Sequence, residues 1–247
     1  MVGRQVVSRA VSMGLIGIGL SARILPLFNW NGRLLQQFPT EDGYLMMTVA
    51  RNIALGRGMS TSQGLLPTNG TQPAFNFIEA WCFWLVGGDR QAGVLVIQLV
   101  QLALAMLAAA LLFMLGRRIL RARVWGESAA MLAAAIWFAS SNVVPHTMNC
   151  LETGLYVVMV LVSIRAWLGL SAVAAENANA HVLRAVEVGL VLGVTFWARI
   201  DAIFLIAVLT SVHVVTALRG PPGALRARLV ESFAAGATAV GLATPWL

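Results

Sequence analysis

The chain has 247 residues, 59% of them hydrophobic and only 11% charged, with a formal net charge of +7. A soluble domain carries about a quarter charged residues, so a mean hydropathy of +0.80 excludes an ordinary water-soluble fold. Polar groups are too few to cover the surface, and lipid must be the solvent. Every basic residue is arginine, set in short clusters between apolar runs, which is the pattern that orients a membrane protein and not a nucleic-acid footprint.

A helix that crosses the hydrocarbon core needs about 20 apolar residues. The first such run, Ala10 to Phe28 behind Arg4 and Arg9, reads as a membrane anchor, with a signal peptide cleaved after Ala22 as the lesser alternative. From Asn29 to about Gln72 the chain is more polar. Within it, FPTEDGYLMMTVARNIALGRG (Phe38 to Gly58) predicts an amphipathic helix. Thr40 is its N-cap, Glu41 and Asp42 occupy the first turn, and Leu45, Met46, Val49 and Ile53 form an apolar stripe. Gly56 and Gly58 stop it. Thr68 to Pro73 reads as a turn feeding a helix whose first residue is Pro73. That helix, running to Val86, is too short to span comfortably and is interrupted by Glu79, so it reads as re-entrant or interfacial. Trp81 and Trp84 suit the headgroup level.

Further apolar runs lie at about 91–116, 126–145, 154–171, 183–198, 202–218 and 229–247, giving an all-α polytopic membrane protein of about seven spans with interfacial helices in its first outer loop, 29–90. Residues 1–247 then form one transmembrane unit. With the N-terminus cytoplasmic, the inner segments hold Arg4 and Arg9, then Arg117, Arg118, Arg121 and Arg123, then Arg219, Arg226 and Arg228, as the positive-inside rule asks. The loop between the fourth and fifth spans is weakly basic, with Arg184 near it. The Ala-rich stretches Ala103–Ala110 and Ala129–Ala135 read as close helix packing. Cys82 and Cys150 have no metal spacing and read as unpaired apolar packing residues, a disulfide being the alternative.

On this orientation the acidic residues of interest converge on the outer face. An ionised carboxylate in the first turn of the 38–58 helix is favoured by the helix dipole and can act as a general base toward a hydroxyl; a plain helix-start acid is the competing reading for Glu41 and Asp42, and for Glu152 at the head of a later span. Arg199 and Asp201 in WARIDAIF lie between two apolar runs, where side chains two apart on a helix do not meet, so a corner between spans is expected. Arg199 there suits a phosphate, or only marks the corner. Glu187 pairs with Arg184, Asp89 and Arg90 begin a span, Arg165 snorkels, and His146 is an interfacial hydrogen bonder.

Taken in order, the basic N-terminus and first span, EDGYLMMTVARNIALGRG, TNGTQPAFNFIEAWCFWLVGGD, a span ending LGRRIL, then LETGLY and WARIDA, resemble the N-terminal half of GT-C-fold glycosyltransferases. These are polyprenyl-phosphate-sugar-dependent membrane enzymes that include bacterial relatives of protein mannosyltransferases and aminoarabinose transferases. The resemblance implies Asp42 as the base that deprotonates an acceptor hydroxyl and Glu41 as its partner. Arg199 then faces the donor phosphate, with Asp201, Glu152 and Tyr44 completing the substrate-binding set. It implies inverting transfer to a lipid, glycan or protein acceptor, at the periplasmic face of a bacterial inner membrane. The sequence names no cofactor and offers no dedicated metal-binding cluster, although two outer carboxylates can recruit a divalent cation. Family members usually have more spans and often an outer C-terminal domain, so on this resemblance the chain reads as an incomplete transmembrane domain. A transporter or channel piece, and a noncatalytic scaffold subunit, are the readings from other classes.

Overall fold

The computed structural model describes residues 2–28, 32–69, 71–170, 178–219 and 224–246. Helices account for nearly all of its regular structure, and no strand occurs among the described residues. The elements are α1 (Val2–Ile24), α2 (Arg33–Gln36), α3 (Glu41–Ala54), α4 (Pro73–Leu85), α5 (Arg90–Ile119), α6 (Gly126–Ala139), α7 (Val143–His146), α8 (Thr153–Leu170), α9 (Ala178–Ala198), α10 (Ala202–Leu218) and α11 (Ala224–Ala243). Each long apolar run expected from sequence holds a helix, although the 126–145 run breaks after Ala139 and resumes as the short α7, and the helix expected from Pro73 is α4. Gly70 of the expected turn and the 171–177 part of the fourth loop lie outside the described residues.

Among the described residues, four helical segments are long and apolar enough to cross a membrane: Val6–Phe28, Arg90–Ile119, Thr153–Leu170 and Ala180–Ala198. This is fewer than the seven expected, for physical reasons. At about 1.5 Å per residue, α6 and α10, with 14 and 17 residues, fall short of a hydrocarbon core about 30 Å thick. In α11, Arg226, Arg228 and Glu231 crowd the first turns.

The chain divides into two compact units, Met1–Val158 and Met159–Leu247. In the first, α5 packs on α6 and α6 on α1. The Ala-rich stretches do what small residues do between membrane helices: Ala105, Ala108, Ala130 and Ala135 are buried, and a Cβ on Gly116 would come within 2.9 Å of Ala130. Deep in α1, Arg23 is fully buried. Its Nη1 donates to the carbonyls of Gly19 (3.0 Å) and Phe138 (2.7 Å), its Nη2 to Thr147 Oγ1 (3.1 Å), and its guanidinium lies 4.3 Å from the Phe138 ring centroid. One cation thereby joins α1, the end of α6 and the loop after α7.

In the second unit, α9 and α11 pack closely because Gly189 and Gly193, one helical turn apart, let the backbones approach. A Cβ on Gly189 would overlap the Ala235 carbonyl, and one on Gly193 would come within 2.8 Å of Leu242. Ser163 and Thr195 share a buried hydrogen bond of 3.0 Å. Where α9, α10 and α11 meet, the buried Glu231 carboxylate lies 2.8 Å from His181 Nδ1, 2.7 Å from His213 Nε2 and 3.0 Å from Arg228 Nη1. The expected Arg184–Glu187 pair is present at 2.7 Å.

Replacing Arg23 removes three hydrogen bonds and opens a void, so Arg23→Ala is expected to cost about 3 kcal/mol of stability, read as a lowered denaturation midpoint in mild detergent. A change below about 0.5 kcal/mol would remove Arg23 from the list of residues that hold the first unit together.

Candidate functional site

The site begins with the local chemistry of α3. Thr40 has extended backbone geometry and its Oγ1 accepts the Gly43 N–H at 3.2 Å, as expected of an N-cap. This leaves Glu41 and Asp42 in the first turn, both exposed to solvent. Among the described residues, neither carries an ion pair. The helix ends at Leu55, and Gly56 and Gly58 follow with φ of +73° and +74°, a region glycine enters without strain. The buried face is shifted from the expected stripe: Met46, Met47, Val49 and Ala50 are buried, while Leu45 is exposed. Packing on α4 chooses the face, and sequence periodicity alone does not resolve a rotation of one position.

The N-terminus of α3 rests on a buried loop. The Thr40 N–H donates to the Asn149 carbonyl, and Gly43 lies so close to that carbonyl and to Cys150 that a Cβ there would overlap the oxygen. The loop is held from below by Gln101, whose Nε2 donates to the Leu151 carbonyl (3.0 Å) while its Oε1 accepts the Cys150 N–H (3.1 Å). Cys150 is a non-glycine residue at φ +59°, a strained geometry that persists only where its surroundings enforce it. Two residues on, Glu152 is buried. Thus the first turn of α3, with Glu41 and Asp42, is seated on the loop that carries Glu152.

Sequence reasoning passed over the most unusual group nearby. Glu79 of α4 is fully buried, and neither carboxyl oxygen has a hydrogen-bond partner among the described residues. Burial, and after it the charge of Glu152, hold its carboxyl well above the usual carboxylate range. It stands one turn from Asn76, whose Nδ2 donates to the Met46 carbonyl at 2.9 Å. The signal was present in the sequence: Asn76 and Glu79, three apart, mark the inner face of a helix whose other face, Phe77, Trp81 and Trp84, is exposed. Burial also pushes the neighbouring Cys82 thiol up to about 11 and raises that of Cys150. Both cysteines are free and buried, which matches their reading as packing residues.

On α3, about 100° of rotation per residue sets Asp42 on the same stripe as the buried Met46 and Val49, facing α4 and the loop. Glu41 falls instead on the stripe of Tyr44 and Thr48. The Tyr44 hydroxyl donates to the Leu35 carbonyl, and burial raises its ionisation above the ordinary phenol value, so it acts as a hydrogen-bonding phenol. Arg199 and Asp201 belong to the second unit. They form the expected corner between α9 and α10, and at a corner, unlike on a helix, they meet: Arg199 Nε lies 2.8 Å from Asp201 Oδ2. Asp201 thus already occupies one face of the guanidinium that was expected to bind phosphate. His146 is exposed at the end of α7. Among the described residues, no group of three His, Cys, Asp or Glu side chains is placed to hold a metal ion.

No known protein family, characterised protein or solved structure matches this chain. Function is therefore argued from its own residues.

Because the folded state holds a proton on Glu79 that the unfolded chain releases above the ordinary value of 4.5, this group's stabilising effect is complete below that value and is lost as pH rises toward the raised one. Between about pH 5 and about pH 8, wild type should lose more stability than Glu79→Gln, whose amide does not ionise. Denaturation midpoints at the two pH values measure this, and parallel slopes for the two proteins would contradict it.

Proposed function

We propose that this chain is a membrane glycosyltransferase, or the transmembrane part of one, that moves a sugar from a polyprenyl-phosphate donor to an acceptor hydroxyl. The observation that carries the reading is Asp42: an exposed carboxylate without an ion pair, in the first turn of a capped helix seated on a rigid buried loop. In the proposed reaction the acceptor oxygen attacks the anomeric carbon with inversion. The bond from that carbon to the phosphate oxygen breaks, and the lipid phosphate leaves with the electron pair. The acceptor proton passes to Asp42. Because phosphate is already a good leaving group, the protein's share is mainly positioning and the base. Glu41, Tyr44 and Glu152 are the proposed orienting groups.

The proposed topology has the N-terminus inside, the 29–90 segment outside, and about seven membrane passages, with α6, α10 and α11 crossing where the bilayer thins locally or together with flanking residues. This arrangement rests on the order of the motifs, which resembles that of GT-C enzymes. The setting proposed is a bacterial inner membrane with the site on its periplasmic side. One observation favours transport instead: a buried, unpartnered carboxyl such as Glu79 is what proton-coupled carriers place on their pathways.

The two readings separate in one assay. Purified chain is incubated with a panel of polyprenyl-phosphate sugars and release of polyprenyl phosphate is followed. Asp42→Asn should lower release at least about 100-fold with an unchanged denaturation midpoint. Equal release from both proteins would reduce Asp42 to a helix-start acid, and no turnover of any donor by folded protein would move the transport reading ahead.

A further inference from the structure

With the 29–90 segment outward, its four arginines, Arg33, Arg51, Arg57 and Arg90, run against the bias that keeps cations on the cytoplasmic side. The structure gives three of them a common place. Arg51 in the last turn of α3, Arg57 in the loop beyond it and Arg90 at the start of α5 line one cavity of about 390 Å³, together with Tyr44, Thr48 and Gln63. No aspartate or glutamate lines it. Among the described residues none of the three arginines has an acidic partner. The nearest acid in sequence, Asp89, is committed elsewhere, since its Oδ1 accepts the Ala92 N–H at 2.8 Å as the N-cap of α5.

The cavity is also built, not a gap between mobile side chains. Arg51 Nε donates to the Gly88 carbonyl at 2.6 Å, which fixes the guanidinium plane while its terminal nitrogens keep their donors. Asn52 Nδ2 donates to the Ser60 carbonyl at 2.7 Å, and the Ser60 hydroxyl accepts the Ser62 and Gly64 N–H groups at 3.1 Å each. That loop holds Gln63, at the cavity wall, at φ +59°, the kind of strain that surrounding contacts must enforce. Three guanidinium groups on three different segments, with no carboxylate among them, repel one another until an anion joins them. Their planar donors match phosphate oxygens best.

We propose that this cavity binds a phosphate group, as a monoester on a membrane lipid or as a free phosphate compound. It is distinct from the site assigned to Asp42: the α3 residues lining the cavity are Tyr44, Met47, Thr48, Arg51 and Asn52, and helical geometry puts Asp42 about 150° round from their centre. Tyr44 borders both, so the test uses Arg57 and Arg90, which belong to the cavity alone, and reads phosphate binding rather than sugar transfer.

The test is calorimetric titration of the full chain in a maltoside detergent, which contains no phosphate. The probes are inorganic phosphate, dioctanoyl phosphatidic acid and dioctanoylglycerol. Arg57 and Arg90 are both exposed, so the double variant Arg57→Gln, Arg90→Gln should fold as wild type does. Arg33→Gln, from the same segment but outside the cavity, controls for general charge. A phosphate probe should bind wild type and Arg33→Gln alike and bind the double variant at least about tenfold more weakly, with dioctanoylglycerol not binding. Phosphatidic acid bound more tightly than inorganic phosphate assigns the lipid source; equal affinities assign a soluble compound. The proposal is overturned if neither phosphate probe binds, if the double variant binds as wild type does, if Arg33→Gln weakens binding as much as the double variant, or if dioctanoylglycerol binds as well as phosphatidic acid.

Discussion

Backbone groups that leave a helix inside an apolar surrounding must find partners within the protein, because lipid offers none. The first unit meets this constraint with side chains. The amides of Asn52, Asn76, Gln98 and Gln101 donate to the carbonyls of Ser60, Met46, Leu34 and Leu151 respectively, and Arg23 does the same for Gly19 and Phe138. Four of these six links join segments 30 or more residues apart in the chain. Between helices in lipid the hydrophobic effect discriminates poorly, since the tails are as apolar as the side chains. Directional polar links of this kind therefore fix which loop lies on which helix. The position of α3, and with it the first-turn acids, follows from them.

Much of this was legible in the sequence where the signal is local. Thr40 caps α3, Pro73 opens α4, Asp89 opens α5, and Gly56 ends the helix before it, each through a rule that needs only a few neighbouring residues. The apolar runs located the long helices but not all of their ends: α1 starts well before Ala10, and the 126–145 run is helical only to Ala139 before a break. What local rules do not contain is rotation and partnership. Leu45 was expected inside and lies outside, because packing on α4 chose the face. Glu79 looked like an interruption of an apolar run and Arg23 drew no reading at all, yet these are the two most deeply buried charged-type side chains of the first unit. Counting apolar runs also overstated the number of helices that cross by length and composition alone, since it ignored how short α6 and α10 are and how many charges open α11.

The surface of α3 divides chemically by the same geometry. One stripe carries Asp42 above Met46 and Val49 and faces the buried loop with Glu152 and the inner face of α4 with Glu79. The other carries Tyr44, Thr48 and Arg51 toward a cationic cavity. Asp42 and the arginine-lined cavity thus occupy opposite sides of one short helix, while Glu41 falls nearer the cavity side. In the second unit the charges are spent internally: Arg199 on Asp201, and Glu231 on two histidines and an arginine.

All of the proposed chemistry depends on α3 facing outward. The direct measurement is labelling with a membrane-impermeant maleimide in sealed vesicles of either orientation, using Asp42→Cys and Arg118→Cys as separate reporters. Native Cys82 and Cys150 are buried and should stay silent. The account predicts that Asp42→Cys labels from the periplasmic side only and Arg118→Cys from the cytoplasmic side only. Labelling of both from the same side, or of Asp42→Cys from the cytoplasm, would contradict it.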